Sequence, residues 1–470
     1  MDNPQCHATG CPSRDITTSL MDNVNKLLIA DLESQTLIAC GSLLQGACEK
    51  YKMSNISIKP EFIPHSVAAN DESSSTYAFI GPEKYNAWGQ TNILYVGTTF
   101  TNRGDYRHDV PAISSRNLHN LEFAEYTFNK QSIVYIDVKY RDHFLVKYVY
   151  GFNANNYAYF VLVQKQSHLP EEEEKGYISR LARSCINDPN YDSYTEVTLQ
   201  CTVNLGDGKS QSYNLVQDAK VAPAGSDIAM QLGISVGDPI FVSVFSPSRG
   251  ITNEPLSRSA LCVYSLQEIE TRFTENIHMC LNGSTKYRNM GYVSGPIQDG
   301  KCPAAGVSIK FEELKYYHLK ILHIFIELCL YFSIQTAGNI LHFCEVGLKI
   351  SGMSPIVGQA ILHFPDEFIT SVTIANTESH TVAFLGTNEG SLKKVLLSGN
   401  EAFVYENIVI DKGNRLMPDT LISPDGEHIY VLSTSKISKV QVEHCSSYTN
   451  CSSCLDAKDP YCGWCSLEKR

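Results

Sequence analysis

Most of the 470-residue chain alternates short apolar runs with Gly, Asn, Asp, Ser and Pro, the rhythm of strands and tight turns. Runs at 26–31, 36–39, 93–97, 133–138, 144–150, 157–164, 239–245 and 380–385 predict strands. One unit recurs: an apolar strand, a small turn and a returning strand. It reads Leu37-Ile-Ala-Cys-Gly-Ser42, Leu94-Tyr-Val-Gly-Thr98, Phe384-Leu-Gly-Thr-Asn-Glu-Gly390 and Ile429-Tyr-Val-Leu-Ser433, the third running on into 391–395 and the fourth into 437–440. Adjacent strands of a propeller blade require that arrangement. An array of immunoglobulin-like sandwiches would show Cys…Trp…Cys spacing in each domain, and the chain has only Trp88 and Trp464.

Two stretches break the rhythm. Ser265-Leu-Gln-Glu268 is a capping box that predicts a helix over 265–277. Residues 307–335 read VSIKFEELKYYHLKILHIFIELCLYFSIQ, a helix-like run in a β-patterned chain. Its apolar part, 321–334, holds His323 and Glu327 and is too short to span a bilayer. Val307-Ser308 can be encoded by GTAAGT, and residues 332–335 by a pyrimidine tract ending in CAG, the two ends of an intron. The expectation is therefore a translated intron at 307–335, ill-packed on the domain, with helix elsewhere mainly at 265–277.

Charge and cysteine content then narrow the class. Fifty acidic against 38 basic residues give a net charge of -12, which leaves no basic surplus for nucleic acid. Sixteen cysteines point to an oxidising compartment, as do the sequons at Asn55, Asn282 and Asn450. The opening MDNPQCHATGCPS has no apolar stretch of a signal peptide, so a fragment with a lost start is expected. The four-glutamate run at 171–174 predicts a solvated loop rather than a metal site.

Candidate chemistry is sparse. Gly233-Ile-Ser235-Val-Gly237 matches a nucleophile elbow in letters, but a strand at 240–245 follows it where a helix is needed. No dinucleotide, P-loop or zinc-protease motif occurs. Arg103-Gly104-Asp105 could serve as an adhesion loop. Cys451, Cys454, Cys462 and Cys465 have two C-x-x-C spacings, compatible with a four-thiolate zinc site, a redox pair or a small disulfide knot.

Cys445-x5-Cys451-x2-Cys454-x4-Asp459-Pro-Tyr-Cys462-Gly-Trp-Cys465 resembles the start of a PSI (plexin–semaphorin–integrin) module. Upstream, Asn23-Val-Asn-Lys26-Leu-Leu-Ile, Ala39-Cys-Gly-Ser-Leu-Leu-Gln-Gly-Ala-Cys48, Ser179-Arg-Leu-Ala-Arg-Ser-Cys185 and Ser259-Ala-Leu-Cys262 are similar to plexin sequences. Semaphorins share both modules, but usually carry Trp-Asp where this chain has Trp464-Cys465, which favours a plexin. Val67-Ala-Ala-Asn-Asp71, Thr101-Asn-Arg-Gly104 and His380-Thr-Val-Ala-Phe-Leu-Gly386 look most like B-type plexins.

The resemblance implies an all-β, seven-bladed β-propeller (a sema domain, its first strand missing) over 1–443, with 307–335 as an insert. The N-terminal part of a PSI module follows at 444–470. It implies an extracellular receptor head that binds a semaphorin sema domain, with no cofactor, metal or catalytic residue, and a parent protein anchored at the cell surface. No transmembrane segment and none of the family's GTPase-activating region lie in this chain. Contacts are expected on loops within 86–116 and 153–178. By resemblance the disulfides are Cys6–Cys11, Cys40–Cys48, Cys185–Cys344, Cys201–Cys262, Cys280–Cys302 and Cys445–Cys462. Cys329, Cys451, Cys454 and Cys465 are left unpaired by insertion or truncation. Alternatives are a semaphorin-type ligand, a secreted adhesion propeller resting on Arg103–Asp105, and a secreted propeller enzyme with a polar cluster at its channel.

Overall fold

The computed structural model describes residues 2–83, 91–104, 107, 110–127, 130–206, 208–293, 300–302, 343–377, 379–398 and 401–468. Segment 307–335 with Cys329, and also Trp88 and Asp105, lie outside the described residues. The chain divides into two compact units. The first comprises Met1–Glu173, Arg180–Thr198 and Arg272–Pro355; the second comprises Glu174–Ser179, Leu199–Thr271 and Ile356–Arg470.

The first unit opens with a four-stranded antiparallel sheet in chain order: Asn25–Asp31, Thr36–Gly41, Cys48–Lys52 and Glu61–Ile63. Alternation sends Leu27, Ile38, Cys40, Cys48 and Ile63 to one face, where they pack with Val67, Leu94, Val96 and Leu121. The second sheet is Thr76–Pro82, Asn92–Thr98, Ile113–Asn117 and Ile133–Val134. Its other face carries Ile93 and Tyr95 into a cluster with Tyr148, Phe160, Leu162 and Tyr292. Gly97, in the recurring strand–Gly unit, lies under the Tyr148 ring, and a Cβ there would come within 2.3 Å of it. The glycine is thus a packing requirement between neighbouring sheets. Lys147–Ala154 and Tyr157–Lys165 continue the array. Beyond them Thr195 and Glu196 pair in parallel with Ile350 and Ser351.

In the second unit, Ile356–Phe364 pairs in parallel with residues 199–202 and antiparallel with Ser259–Ser265, followed by Pro239–Ser246 and Leu215–Pro223. Ile369–Asn376, Thr381–Thr387, Ser391–Ser398 and Glu401–Val409 form a four-stranded antiparallel sheet in chain order. A three-stranded sheet follows: Leu421–Ile422, His428–Leu432 and Ile437–Gln441. Ile240, Val242, Leu261, Val372, Leu385 and Val395 fill one core, and Phe384, Leu392, Leu416, Ile429 and Val431 another. Both units thus repeat the blade unit of a propeller, and the all-β expectation holds.

The helix expected at 265–277 spans Leu266–Leu281, and the Glu268 N–H donates to Ser265 Oγ (3.1 Å). Helix is less restricted than expected: Ser226–Leu232, Phe343–Val346 and Cys451–Ala457 are also helical. Two strands were misplaced by local pattern. The run at 133–138 keeps only Ile133–Val134, and the one at 144–150 becomes Lys147–Ala154, because Tyr140–Phe144 forms a turn (Phe144 N–H to Tyr140 O, 2.8 Å).

Asp218 is a buried carboxylate in the second unit. Oδ1 accepts from Ala219 N (2.9 Å) and Oδ2 from Val372 N (2.8 Å). Burial pushes its pKa up to about 7, against the pull of Lys220 and with a push from Asp419. A carboxyl raised above its unfolded value stabilises the fold when protonated. That contribution is full below about pH 4 and is lost as pH rises through about 7. Wild type is therefore expected to gain on the order of 2 kcal/mol relative to Asp218→Asn between pH 8 and pH 5. Chemical denaturation of both proteins across that range checks it; parallel pH profiles would refute the assignment.

Candidate partner-binding region and disulfide frame

The loop stretches singled out by sequence, 86–116 and 153–178, lie mostly in the first unit. Residues 84–90, 105, 106, 108 and 109 are outside the described set. The rest of the first stretch forms a packed corner. Asn70 Nδ2 donates to Arg103 O (2.7 Å) and Gln45 Oε1 (2.9 Å), while the Thr101 hydroxyl donates to Asn70 Oδ1. Gln45 Nε2 reaches Pro4 O at 2.9 Å. Arg107 lies beneath, 1% exposed, with Nη1 donating to Gln45 O and Ala68 O, both at 3.1 Å. Burial lowers its pKa to about 10, with Asp71 opposing the shift. The two short stretches 67–71 and 101–104 therefore meet in space.

That corner bears on the Arg-Gly-Asp reading. Gly104 has φ +92° and its missing Cβ would lie 2.1 Å from Pro4 O, so the Arg-Gly backbone is built into the fold. The described part of the motif is a structural corner, and Asp105 lies outside the described residues.

The second stretch starts with a hairpin whose two turn residues, Asn155 (φ 47°) and Asn156 (φ 67°), are both left-handed. Asparagine tolerates that conformation and suits the tight turn between Lys147–Ala154 and Tyr157–Lys165. The glutamate run lies in the 3₁₀ segment Pro170–Lys175, with no buried residue and Glu173 paired to Lys165. It is a solvated turn, as its composition requires. His168 packs edge-on to Tyr140 (4.6 Å between centroids) and beside Tyr292 (5.4 Å), and burial lowers its pKa.

Sequence reasoning missed the buried polar network of the first unit. Glu196 accepts from Tyr194 OH (2.8 Å), Tyr292 OH (2.5 Å) and Gln164 Nε2 (3.2 Å), with Arg180 Nε at 4.0 Å. Burial, and then the Glu196 charge, push the Tyr292 hydroxyl's pKa well up. The carboxylate is 2% exposed, so this arrangement holds strands together and does not meet a substrate. A cavity of about 60 Å³, lined by Ile93, Tyr95, Ser115, Asp188 and Tyr191 among others, is far below the roughly 300–1,000 Å³ of small-molecule sites. The Gly233–Gly237 match is resolved as well. Gly233 is the left-handed C-cap of helix Ser226–Leu232 and Ser235 N donates to Asp238 Oδ2 (2.8 Å), so no strand precedes the serine.

The structure joins Cys6 to Cys11, Cys40 to Cys48, Cys185 to Cys344, Cys201 to Cys262, Cys280 to Cys302 and Cys445 to Cys462. Cys451 and Cys465 are exposed free thiols and Cys454 is a buried one. With Cys462 bonded to Cys445 (Cα atoms 5.3 Å apart), neither the four-thiolate zinc site nor a Cys462–Cys465 redox pair can form. The C-terminal segment docks on its own unit. Lys394 is fully buried, and Nζ donates to Val442 O (2.8 Å) and pairs with Glu406 (2.6 Å). Tyr461 joins the cluster of Phe384, Val431 and Val442, and Lys458 Nζ lies 5.2 Å over the Phe403 ring. The three sequon asparagines are exposed. Asn55 Oδ1 accepts from Ser57 N (3.0 Å) and Asn282 Oδ1 from Ser284 N (2.9 Å), while Asn450 is the N-cap of Cys451–Ala457, accepting from Ser453 N (2.9 Å). Among the described residues, no helix is long and apolar enough to cross a membrane.

Residues 216–424 match the Sema domain model and residues 444–470 the Plexin repeat model. Mouse Plexin-A3 is 29% identical over 100% of this chain and 24% of its own length, and human Plexin-A2 27% identical over 99% and 23%. The chain thus spans about a quarter of the length of these relatives. Among solved structures, the full extracellular region of Plexin A4 superposes with TM-score 0.79 at 25% identity, covering 100% of this chain and 44% of that one. Drosophila Semaphorin 2a superposes with TM-score 0.59 at 17% identity, covering 95% of this chain and 67% of that one, a likeness of fold alone. The B-type leaning drawn from three short stretches finds no support, because the plexins matched here are of A type. The chain thus has a β-propeller fold, matches the Sema domain and Plexin repeat models over 216–424 and 444–470, and is similar along its length to A-type plexins.

Proposed function

We propose that this chain is the extracellular ligand-binding head of a plexin-like receptor, and that it recognises the sema domain of a semaphorin by protein–protein contact, without catalysis. The carrying observation is the likeness to plexins along the whole chain, at TM-score 0.79 with the Plexin A4 extracellular region. Disulfides in both units suit an extracellular setting. A rigid β scaffold presents loops, and a dimeric ligand engaging two receptors converts modest affinity into stable clustering. Contacts on the loops of 86–116 and 153–178 would form a polar-rimmed surface. Saturable binding of the secreted chain to a purified semaphorin ectodomain tests this reading. The semaphorin-ligand alternative rests on fold likeness alone, and the adhesion alternative loses its free loop at Arg103–Gly104.

The domain reading is part of the same proposal: a sema domain over 1–443 and the start of a PSI module over 444–470. Segment 307–335 is read as a translated intron. Cys302 and Phe343, which bracket it, lie in one cluster with Ile277, Cys280 and Ile350, so the chain leaves and re-enters at one place. Deleting 307–335 is expected to raise secreted yield and to leave the melting temperature within about 2 °C. A thermal scan of the deletion protein checks it; loss of folding would show the segment to be a core element.

A further inference from the structure

We infer that Asn55 carries an N-linked glycan whose function is to cover an apolar turn at one end of the first sheet. The inference rests on the extracellular reading above. The turn that follows strand Cys48–Lys52 exposes Met53 (38%), Ile56 (62%) and Ile58 (47%). The neighbouring hairpin turn, tied to it by Met53 N to Gln35 O (3.0 Å), adds Leu32 at 68%. Four large apolar side chains on two linked turns are an aggregation liability in a secreted protein unless something covers them.

The occupant is written into the turn itself, because Asn55-Ile-Ser57 is a glycosylation acceptor between the exposed residues. Asn55 is exposed, and its Oδ1 accepts the Ser57 N–H at 3.0 Å, an Asx turn that fixes the side chain. Its Nδ2 has no acceptor among the described residues, and the residue as a whole is exposed. The donor is a polyprenyl-pyrophosphate-linked oligosaccharide of the secretory pathway. Asn55 Nδ2 forms a C–N bond to the anomeric carbon of the first sugar, and the C–O bond to pyrophosphate breaks. The leaving pyrophosphate keeps the electron pair, one amide proton passes to the transferase's base, and no redox change occurs. The sugar then lies over Ile56 and Ile58 and keeps that end of the sheet from binding other proteins.

Secretion of the full chain from insect or mammalian cells, followed by amidase deglycosylation and peptide mass analysis, reads occupancy as Asn-to-Asp conversion. Expected are conversion at Asn55 and, after enzymatic deglycosylation of the folded protein, a several-fold rise in apolar-dye binding with more aggregation. Ser57→Ala, which keeps Asn55, should reproduce that rise, and adding Ile56→Ser and Ile58→Ser should abolish it. Occupancy at Asn282 or Asn450 with none at Asn55 overturns this inference and leaves the extracellular reading intact, making the turn a candidate protein contact instead. Occupancy at none of the three sites overturns both. Occupancy without any change in dye binding on deglycosylation overturns the covering role.

Discussion

Glu196→Ala is expected to lower stability by about 3–5 kcal/mol, the largest loss of any single side chain considered. The substitution strands the hydroxyls of Tyr194 and Tyr292 and leaves the Gln164 amide only its longer bond to Tyr292 OH (3.4 Å). It also leaves Arg180, nine-tenths buried with Nε 4.0 Å from the carboxylate, without its counter-charge. A buried charge left alone is the costly case, whereas the intact pair contributes little net stability. Glu196→Gln keeps one carbonyl acceptor and should cost less, about 1–2 kcal/mol. Urea denaturation of the three proteins checks the order. Equal stability of the Ala variant and wild type would mean that water replaces the carboxylate as acceptor and that the pair with Arg180 contributes nothing.

Removal of the Cys185–Cys344 bridge by a double Cys→Ser change should have the second large effect. The bridge spans 159 positions, and cross-links that close long loops restrict the unfolded chain most. A loss of about 2–5 kcal/mol and a sharp fall in secreted yield are expected. Removing Cys6–Cys11, which spans five positions, should cost clearly less. Thermal unfolding of the two double variants decides; equal losses would show that local packing around each bridge, rather than loop length, sets its value.

The sheets were legible because alternation and turn chemistry are local. Leu27, Ile38 and Cys40 point inward while Leu28 points out, and the strand–Gly unit at 94–98 was readable with its glycine, though not the Tyr148 ring that demands it. The network around Glu196 was not legible. Tyr292 lies 96 positions downstream and the parallel partner Ile350 is farther still, so no window of sequence holds the pieces together. Helix Cys451–Ala457 was hidden for a different reason: its residues are Cys, Ser, Leu, Asp and Ala, with no apolar stripe, and the Asn450 cap was read first as a sequon. Helix Ser226–Leu232 was hidden because it is only seven residues long, has no side-chain N-cap, and shares its C-cap Gly233 with the serine motif that follows.

The short stretches taken for B-type features show a further limit. Residues 67–71 and 101–104 form one hydrogen-bonded corner with Gln45 and Arg107, so they are constrained together by packing. Two short likenesses at one corner are a single structural observation, and the A-type relatives along the whole chain outweigh it.

The most direct test of the receptor-head proposal is a binding measurement. The disulfide-bonded chain, secreted and immobilised, is exposed to a panel of purified semaphorin ectodomains, each as a native dimer and as a monomeric variant. The account predicts saturable binding to at least one member, tighter for the dimer by roughly 10²–10⁴-fold through bivalence at a dense surface, and lost on reduction of the disulfides. Absence of saturable binding to every semaphorin, by a chain shown to be folded, would contradict it.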